Sequence, residues 1–181
     1  DILMVGEIRD RETAKTAIEA ALTGHLVLST LHTNDAPSAL PRLIEMGVES
    51  FLVSSAVNCV MAQRLVRKLC PNCKVPYEPD PEVLRTLQFP VEEENGDLIL
   101  YKANENGCAK CGGTGYKGRV GLYEVMPMSE EIQRLTVKEA SATIIMNQAK
   151  EEGLLSMRDD GFLKVKMGIT SIEEVMRVVA V

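Results

Sequence analysis

The chain has 181 residues, 45% hydrophobic and 25% charged, with 20 Lys and Arg against 26 Asp and Glu for a net charge of −6. That ordinary mixture excludes disordered and collagen-like chains and is enough for one or two cored domains, with two expected. The negative balance and the scarcity of aromatics (no Trp, three Phe, four Tyr) argue against nucleic acid as a partner, since its binders rely on basic surfaces and stacking rings.

Ile2 to Val5 is a run of apolar residues that reads as a strand buried on both faces, as in a parallel sheet. Arg9 to Leu22 places Ala14, Ala17, Ile18, Ala21 and Leu22 at helical spacing, with Gly24 as a stop signal. His25 to Leu31 is a second β-rich run. The order strand, helix, strand is the one that builds parallel sheets through crossovers. A helix follows from about Ala36 to Met46, and Phe51 to Leu65 reads as a further, largely buried helix with Cys59 in its core. From Cys70 to Cys111 the character changes to CPNCKVPYEPDPE, an acidic loop Glu92 to Glu94, a short strand Leu98 to Tyr101, and CAKCGGTGYKGR. Tyr116 to Met126 reads as a strand running back. The last 50 residues or so look helical, with Ser171 and Glu174 spaced as a capping box. The expected organisation is therefore 1–69, 70–111 and 112–181. A buried parallel strand at the very start needs neighbours that these residues do not supply in number, so the chain is expected to be a fragment.

Cys70 and Cys73 form one CxxC and Cys108 and Cys111 another, with 34 residues between the pairs. Two knuckles of this kind can complete a tetrahedron of sulfurs around Zn²⁺ with no open position, a structural site rather than a catalytic one. Redox CxxC motifs or paired disulfides are the competing readings, and a cytoplasmic setting disfavours stable disulfides. Four thiolates on Zn²⁺ carry a net charge of −2, which Lys68, Lys74, Lys110, Lys117 and Arg119 could offset. Gly112, Gly113, Gly115 and Gly118 allow the positive φ that a knuckle and its following turn require.

Glu7 stands just past the first strand, at the carboxyl end where nucleotide hydrolases place an acid that holds Mg²⁺ through water or orients the attacking water. The second strand ends in Ser29, Thr30, Leu31, His32, Thr33 and Asn34, so an imidazole and hydroxyls should share that edge, where they can sense a γ-phosphate. His25 belongs to the other end of the same strand, and a structural role suits it better. No GxxxxGK[ST] phosphate loop occurs anywhere in the chain. These residues alone should not cradle a triphosphate.

Together these segments resemble the ATPases that power type IV pilus assembly and type II protein secretion in bacteria. DILMVGEIRDRETA is similar to their Walker B segment and TGHLVLSTLHTNDA to their His box. AQRLVRKLCPNC with CAKCGGTGYKGRVGLYEVMPMSEEI is similar to their tetracysteine module and exit strand, and GITSIEEVMRVV to their tail. The resemblance implies an α/β fold: part of a RecA-like P-loop ATPase core, a small tetracysteine zinc module and a helical C-terminal region. It further implies a homo-hexameric motor that hydrolyses ATP with Mg²⁺ and works on an inner-membrane platform protein from the cytoplasmic side, with no membrane insertion of its own. Glu7 would be the Walker B acid and His32 the γ-phosphate contact, both on the nucleotide and magnesium side. His25 falls in the same box as a secondary candidate, and Arg9 and Asp10 would fix the loop by ion pairing. YKGRVGLYEVM favours the pilus extension ATPase over its type II secretion relative. The family's Walker A loop and Asp box would precede Asp1.

No apolar run approaches the roughly 20 residues that cross a bilayer, and DILMVGEIRD lacks the basic start of a signal peptide, so a cytoplasmic location is expected. The alternative from another class is a non-enzymatic zinc-ribbon interaction or chaperone-like module, because CAKCGGTG fits the CxxCxGxG repeat of DnaJ-type chaperones, here present once.

Overall fold

A computed structural model describes residues 1–91 and 98–179. The acidic loop expected at 92–94 lies outside the described residues. In chain order the elements are β1 (Ile2–Val5), α1 (Arg11–Leu22), β2 (Leu26–Ser29), α2 (Ala39–Glu45), α3 (Ser50–Ala56), β3 (Cys59–Leu69), β4 (Val75–Tyr77), α4 (Pro81–Thr86), β5 (Leu100–Lys102), β6 (Tyr116–Pro127), α5 (Glu130–Val137), α6 (Ala142–Glu151), α7 (Met157–Lys166) and α8 (Ile172–Val179). The chain divides into two compact units. One joins Asp1–Ala62 to Glu124–Leu155, and the other joins Gln63–Tyr123 to the segment from Ser156 onward. β3 and β6 are hydrogen-bonded partners, and the division falls within both.

In the first unit β1 and β2 pair in parallel, with Ile2 opposite Leu26 and Val5 opposite Ser29. The crossover α1 starts where the Asp10 carboxylate accepts the Thr13 amide, a capping bond that satisfies one of the free N–H groups of the first turn. It buries Ala14, Ala17 and Ile18. α3 and α5 pack together, and the Ser54 hydroxyl donates to the Gln133 carbonyl at 3.3 Å. Leu40, Val53, Ile132 and Ile145 are at most 1% exposed and form the apolar centre. The expected burial of β1 on both faces does not hold: Ile2 is 67% and Met4 82% exposed. Leu3, on the other face, is 40% exposed; a parallel sheet is buried only where helices pack on its faces, and these side chains stay open to water.

The helix expected over Phe51 to Leu65 ends at Ala56, where Val57 turns extended at φ −81°, ψ 124°. From Cys59 the chain is a strand in which Ala62 and Val66 are buried while Met61, Gln63 and Leu65 are exposed, a period of two. Ala, Met, Gln and Leu favour helix in isolation; pairing with β6 overrides that preference. Cys59 is consequently exposed on a strand rather than packed in a core.

The second unit contains the antiparallel pair β4 and β5, with Val75 opposite Lys102 and Tyr77 opposite Leu100. α7 opens with a capping box between Ser156 and Asp159 and sends Phe162 against Phe89, ring centres 4.9 Å apart. At α8 the Ser171 hydroxyl accepts the Glu174 amide at 3.4 Å, yet the Glu174 carboxylate does not return to close the expected box. It goes to arginines instead. The Arg67 guanidinium and backbone amide donate to it at 2.5 and 3.0 Å, and Arg177 donates at 3.1 and 3.0 Å. Arg67 also stacks 4.1 Å from the centre of the Tyr116 ring, so one buried carboxylate ties α8 to β3. Burial pushes the Glu174 carboxyl up, but the Arg67 and Arg177 hydrogen bonds outweigh it and hold the group at about 2.

Two consequences can be measured. Because the folded value lies below the ordinary 4.5, the stabilisation from Glu174 is complete above that value and is lost as the pH falls from about 4.5 toward 2. The melting temperature should drop across that window, and Glu174→Gln should remove that part of the pH dependence while lowering stability near neutrality. At Gly161 an added Cβ would stand 2.5 Å from Val175 Cγ1. Gly161→Ala gains about 1 kcal/mol of helix propensity but overpacks the α7–α8 contact at a cost of about 1–3 kcal/mol. Net destabilisation is expected in a urea melt, relieved in part by Val175→Ala.

Candidate functional site

The carboxyl ends of β1 and β2 are stitched together by two bonds. The Thr30 hydroxyl donates to the Gly6 carbonyl at 2.8 Å, and the Ile8 amide donates to the Thr30 carbonyl at 2.9 Å. Glu7 sits between these stitches with a side chain 20% exposed. Its Oε2 receives the Arg9 guanidinium, and its buried Oε1 lies against His32 Nε2 without hydrogen-bond geometry. The Arg9 hydrogen bond holds the Glu7 carboxyl below its ordinary range. Arg9 and His32 are themselves open to water, their side chains 73% and 86% exposed.

Glu7 and His32 thus come together from two strand ends. Arg9 takes the expected ion-pairing part, whereas Asp10 serves as the cap of α1. Thr30, expected among the phosphate-sensing hydroxyls by its place in the chain, instead donates its hydroxyl to the stitch. His25 is at the opposite end of β2, where its Nδ1 lies 3.2 Å from the Ala20 carbonyl and 3.2 Å from the Thr23 hydroxyl, closing the end of α1. The resulting site is an ionised carboxylate beside an accessible imidazole at the carboxyl edge of parallel strands, where open α/β sheets bind ligands. The carboxylate can take a proton from water or hold a hydrated cation, and the imidazole can donate to an anion.

The four cysteines of the two CxxC pairs form a second constellation. Cys70 begins a tight turn in which its carbonyl accepts the amides of Cys73 and Lys74 at 3.2 and 3.0 Å, and its amide reaches the Gly115 carbonyl at 2.9 Å. The second knuckle is a short 3₁₀ turn, Ala109–Cys111. Sγ of Cys70 lies 3.8 Å from that of Cys108, Sγ of Cys73 3.9 Å from that of Cys111, and all four are within 4.8 Å of one another. A tetrahedron with metal–sulfur bonds of about 2.3 Å has edges of about 3.8 Å, so the cluster could hold a metal ion. The Cys108 and Gly115 amides donate to Cys111 Sγ at 3.1 and 3.3 Å and pull that thiol down to about 6, while burial and the neighbouring sulfurs push Cys73 up to about 12. Gly115 adopts φ +72°, and a Cβ there would meet the Asn104 carbonyl oxygen at 2.7 Å. Of the lysines expected to offset the thiolates, Lys74 is otherwise engaged: its Nζ donates to the Gly168 carbonyl at 2.9 Å and stands over the Tyr101 ring.

Sequence reasoning missed Glu124 altogether and, having read Glu174 as a capping residue, missed its burial; each is only 2% exposed. Neither belongs to a motif of ligand spacing, though an acid at an inward position of a strand, as at Glu124, is a visible anomaly.

Residues 1–177 match the family described as type II/IV secretion system protein, and the chain belongs to that family. It is 53% identical over 176 residues to the type IV pilus assembly ATPase PilB of Thermus thermophilus, covering 97% of this chain and 20% of that protein. It is 51% identical over 182 residues to the type II secretion system ATPase E of Vibrio cholerae, covering 98% of this chain and 34% of that protein. The PilB of Pseudomonas aeruginosa is 49% identical over 178 residues, covering 98% of this chain and 31% of that protein. The chain therefore spans a fifth to a third of the length of these relatives. The X-ray structure of the Legionella pneumophila ATPase DotB shares the fold, with a TM-score of 0.64 at 21% identity over 99% of this chain and 38% of that one. Among the described residues no helix is long and apolar enough to cross a membrane.

Proposed function

We propose that this chain is the C-terminal part of a hexameric motor ATPase that hydrolyses ATP to drive type IV pilus assembly, acting on an inner-membrane platform protein from the cytoplasmic face. The observation that carries the reading is the pairing of Glu7 with His32 at the carboxyl ends of β1 and β2. When bound, Mg²⁺ and ATP supply charge neutralisation and the leaving group. Glu7 accepts the proton of the attacking water and orients it, and Arg9 keeps that carboxylate ionised. His32, exposed beside it, donates to the terminal phosphate. His25 supports the box by closing α1. Type II protein secretion is the second reading, favoured by the 51% identity to the Vibrio cholerae secretion ATPase.

In the full-length enzyme, Glu7→Gln should abolish steady-state ATP turnover while nucleotide still binds, a combination read by phosphate release and equilibrium binding. Wild-type turnover in that variant would remove Glu7 from the mechanism. The 181-residue chain by itself, which contains no phosphate-loop motif, is expected to show no turnover. Steady hydrolysis abolished by Glu7→Gln in this short chain would overturn that expectation.

The donor set and sulfur separations at Cys70, Cys73, Cys108 and Cys111 support one structural Zn²⁺ per chain. Binding free energy of roughly 10 to 16 kcal/mol becomes folding free energy in modules this small. Elemental analysis of protein purified without chelator should find one zinc, and Cys111→Ser should lose both the metal and the fold of the module. Protein without zinc would refute the assignment.

A further inference from the structure

We infer that Glu124 is a positioning residue for His32, acting through the backbone amide of Ala36; the inference rests on the role proposed above for Glu7 and His32. Glu124 lies on β6 between Leu122 and Met126, and these alternate residues all face inward: the two neighbours are fully buried and Glu124 is 2% exposed. A carboxyl in the middle of an apolar row costs free energy unless its oxygens are hydrogen-bonded. Here Oε1 accepts the amide of Ala36 at 2.8 Å, across 88 positions of chain. Ala36 is itself fully buried, and its carbonyl accepts the Ala39 amide at 3.1 Å as the chain enters α2.

That bond has a particular place in the site. The segment carrying His32 leaves β2 at Thr30 and re-enters the core at Ala36. Its first end is fixed by the stitch of Thr30 to Gly6 and Ile8, which also sets Glu7. Its second end is fixed by Glu124. The His32 side chain is 86% exposed and touches only the Glu7 carboxylate among the contacts described above, so burial does not bring it there; the backbone held at its two ends does. An apolar residue at position 124 would fill the same space and leave the Ala36 amide without that acceptor. The carboxyl thus defines the conformation of the segment more than it adds to the core, a role documented for some buried polar groups.

The test uses the full-length enzyme and four variants. Glu124→Met keeps the volume and removes the acceptor, Glu124→Gln keeps an acceptor oxygen, and His32→Ala is made alone and with Glu124→Met. Glu124→Met is expected to lower kcat by about ten- to hundred-fold, the scale of a small misplacement at a reacting site, and Glu124→Gln to retain most of it. Adding Glu124→Met to His32→Ala should cost no more than about two- to three-fold further, because a change that acts only through His32 has little left to act on once His32 is gone. Hydrogen exchange should quicken across 32–36 in the Met variant and stay near wild type in the Gln variant. Losses that multiply in full, a folded Met variant with wild-type turnover, or a Gln variant as damaged as Met would each overturn the positioning role. If His32→Ala and Glu7→Gln both keep full turnover, the underlying assignment of the site falls instead, and the positioning role with it.

Discussion

Parallel pairing of β1 with β2 is the constraint from which the site follows. With Val5 opposite Ser29, the residues just beyond each strand emerge at one edge, and groups 25 positions apart become neighbours. The stitch at Thr30 then joins the two exit segments to each other instead of leaving them as separate loops. A carboxylate with a guanidinium on one oxygen and an imidazole at the other is the product. Exposed ion pairs contribute little to stability, so this trio is better understood as chemistry held in place by backbone bonds than as a source of folding energy.

The second unit solves a different problem. β4 and β5 have three residues each and α4 has six, too short to be stable on their own. Cross-links from side chains compensate. The sulfurs gather two distant knuckles, Lys74 reaches from beside the first knuckle to the chain after α7, and Glu174 binds α8 to β3. Each is a polar or ligating contact between segments far apart in sequence, added to an apolar centre that includes Val66, Leu100, Phe162, Val165 and Val175.

What the sequence made legible was local. The strand–helix–strand order was readable from apolar spacing and Gly24, and β1 matches its expected bounds residue for residue. The CxxC pairs were readable because ligand geometry imposes a spacing, and the four expected positive-φ glycines have φ between +63° and +79°. β3 was misread because its residues also favour helix, and only its pairing with β6 separates the two. The contacts of Glu174 with Arg67 and of Glu124 with Ala36 span 107 and 88 positions and leave no periodic trace. Burial of β1 was overestimated for a related reason, since a run of aliphatic residues reports a preference for being covered, not the presence of a cover.

That last feature bears on how the chain behaves in a test tube. Ile2, Met4, Leu26 and Leu28 are each between 48% and 82% exposed, and each strand of the β1–β2 pair has a backbone edge with no partner strand among the described residues. Aliphatic faces and open edges of this kind invite strand-to-strand association between molecules. Concentration, more than temperature, will therefore govern whether this chain stays monodisperse, and light scattering will report trouble before any loss of secondary structure does.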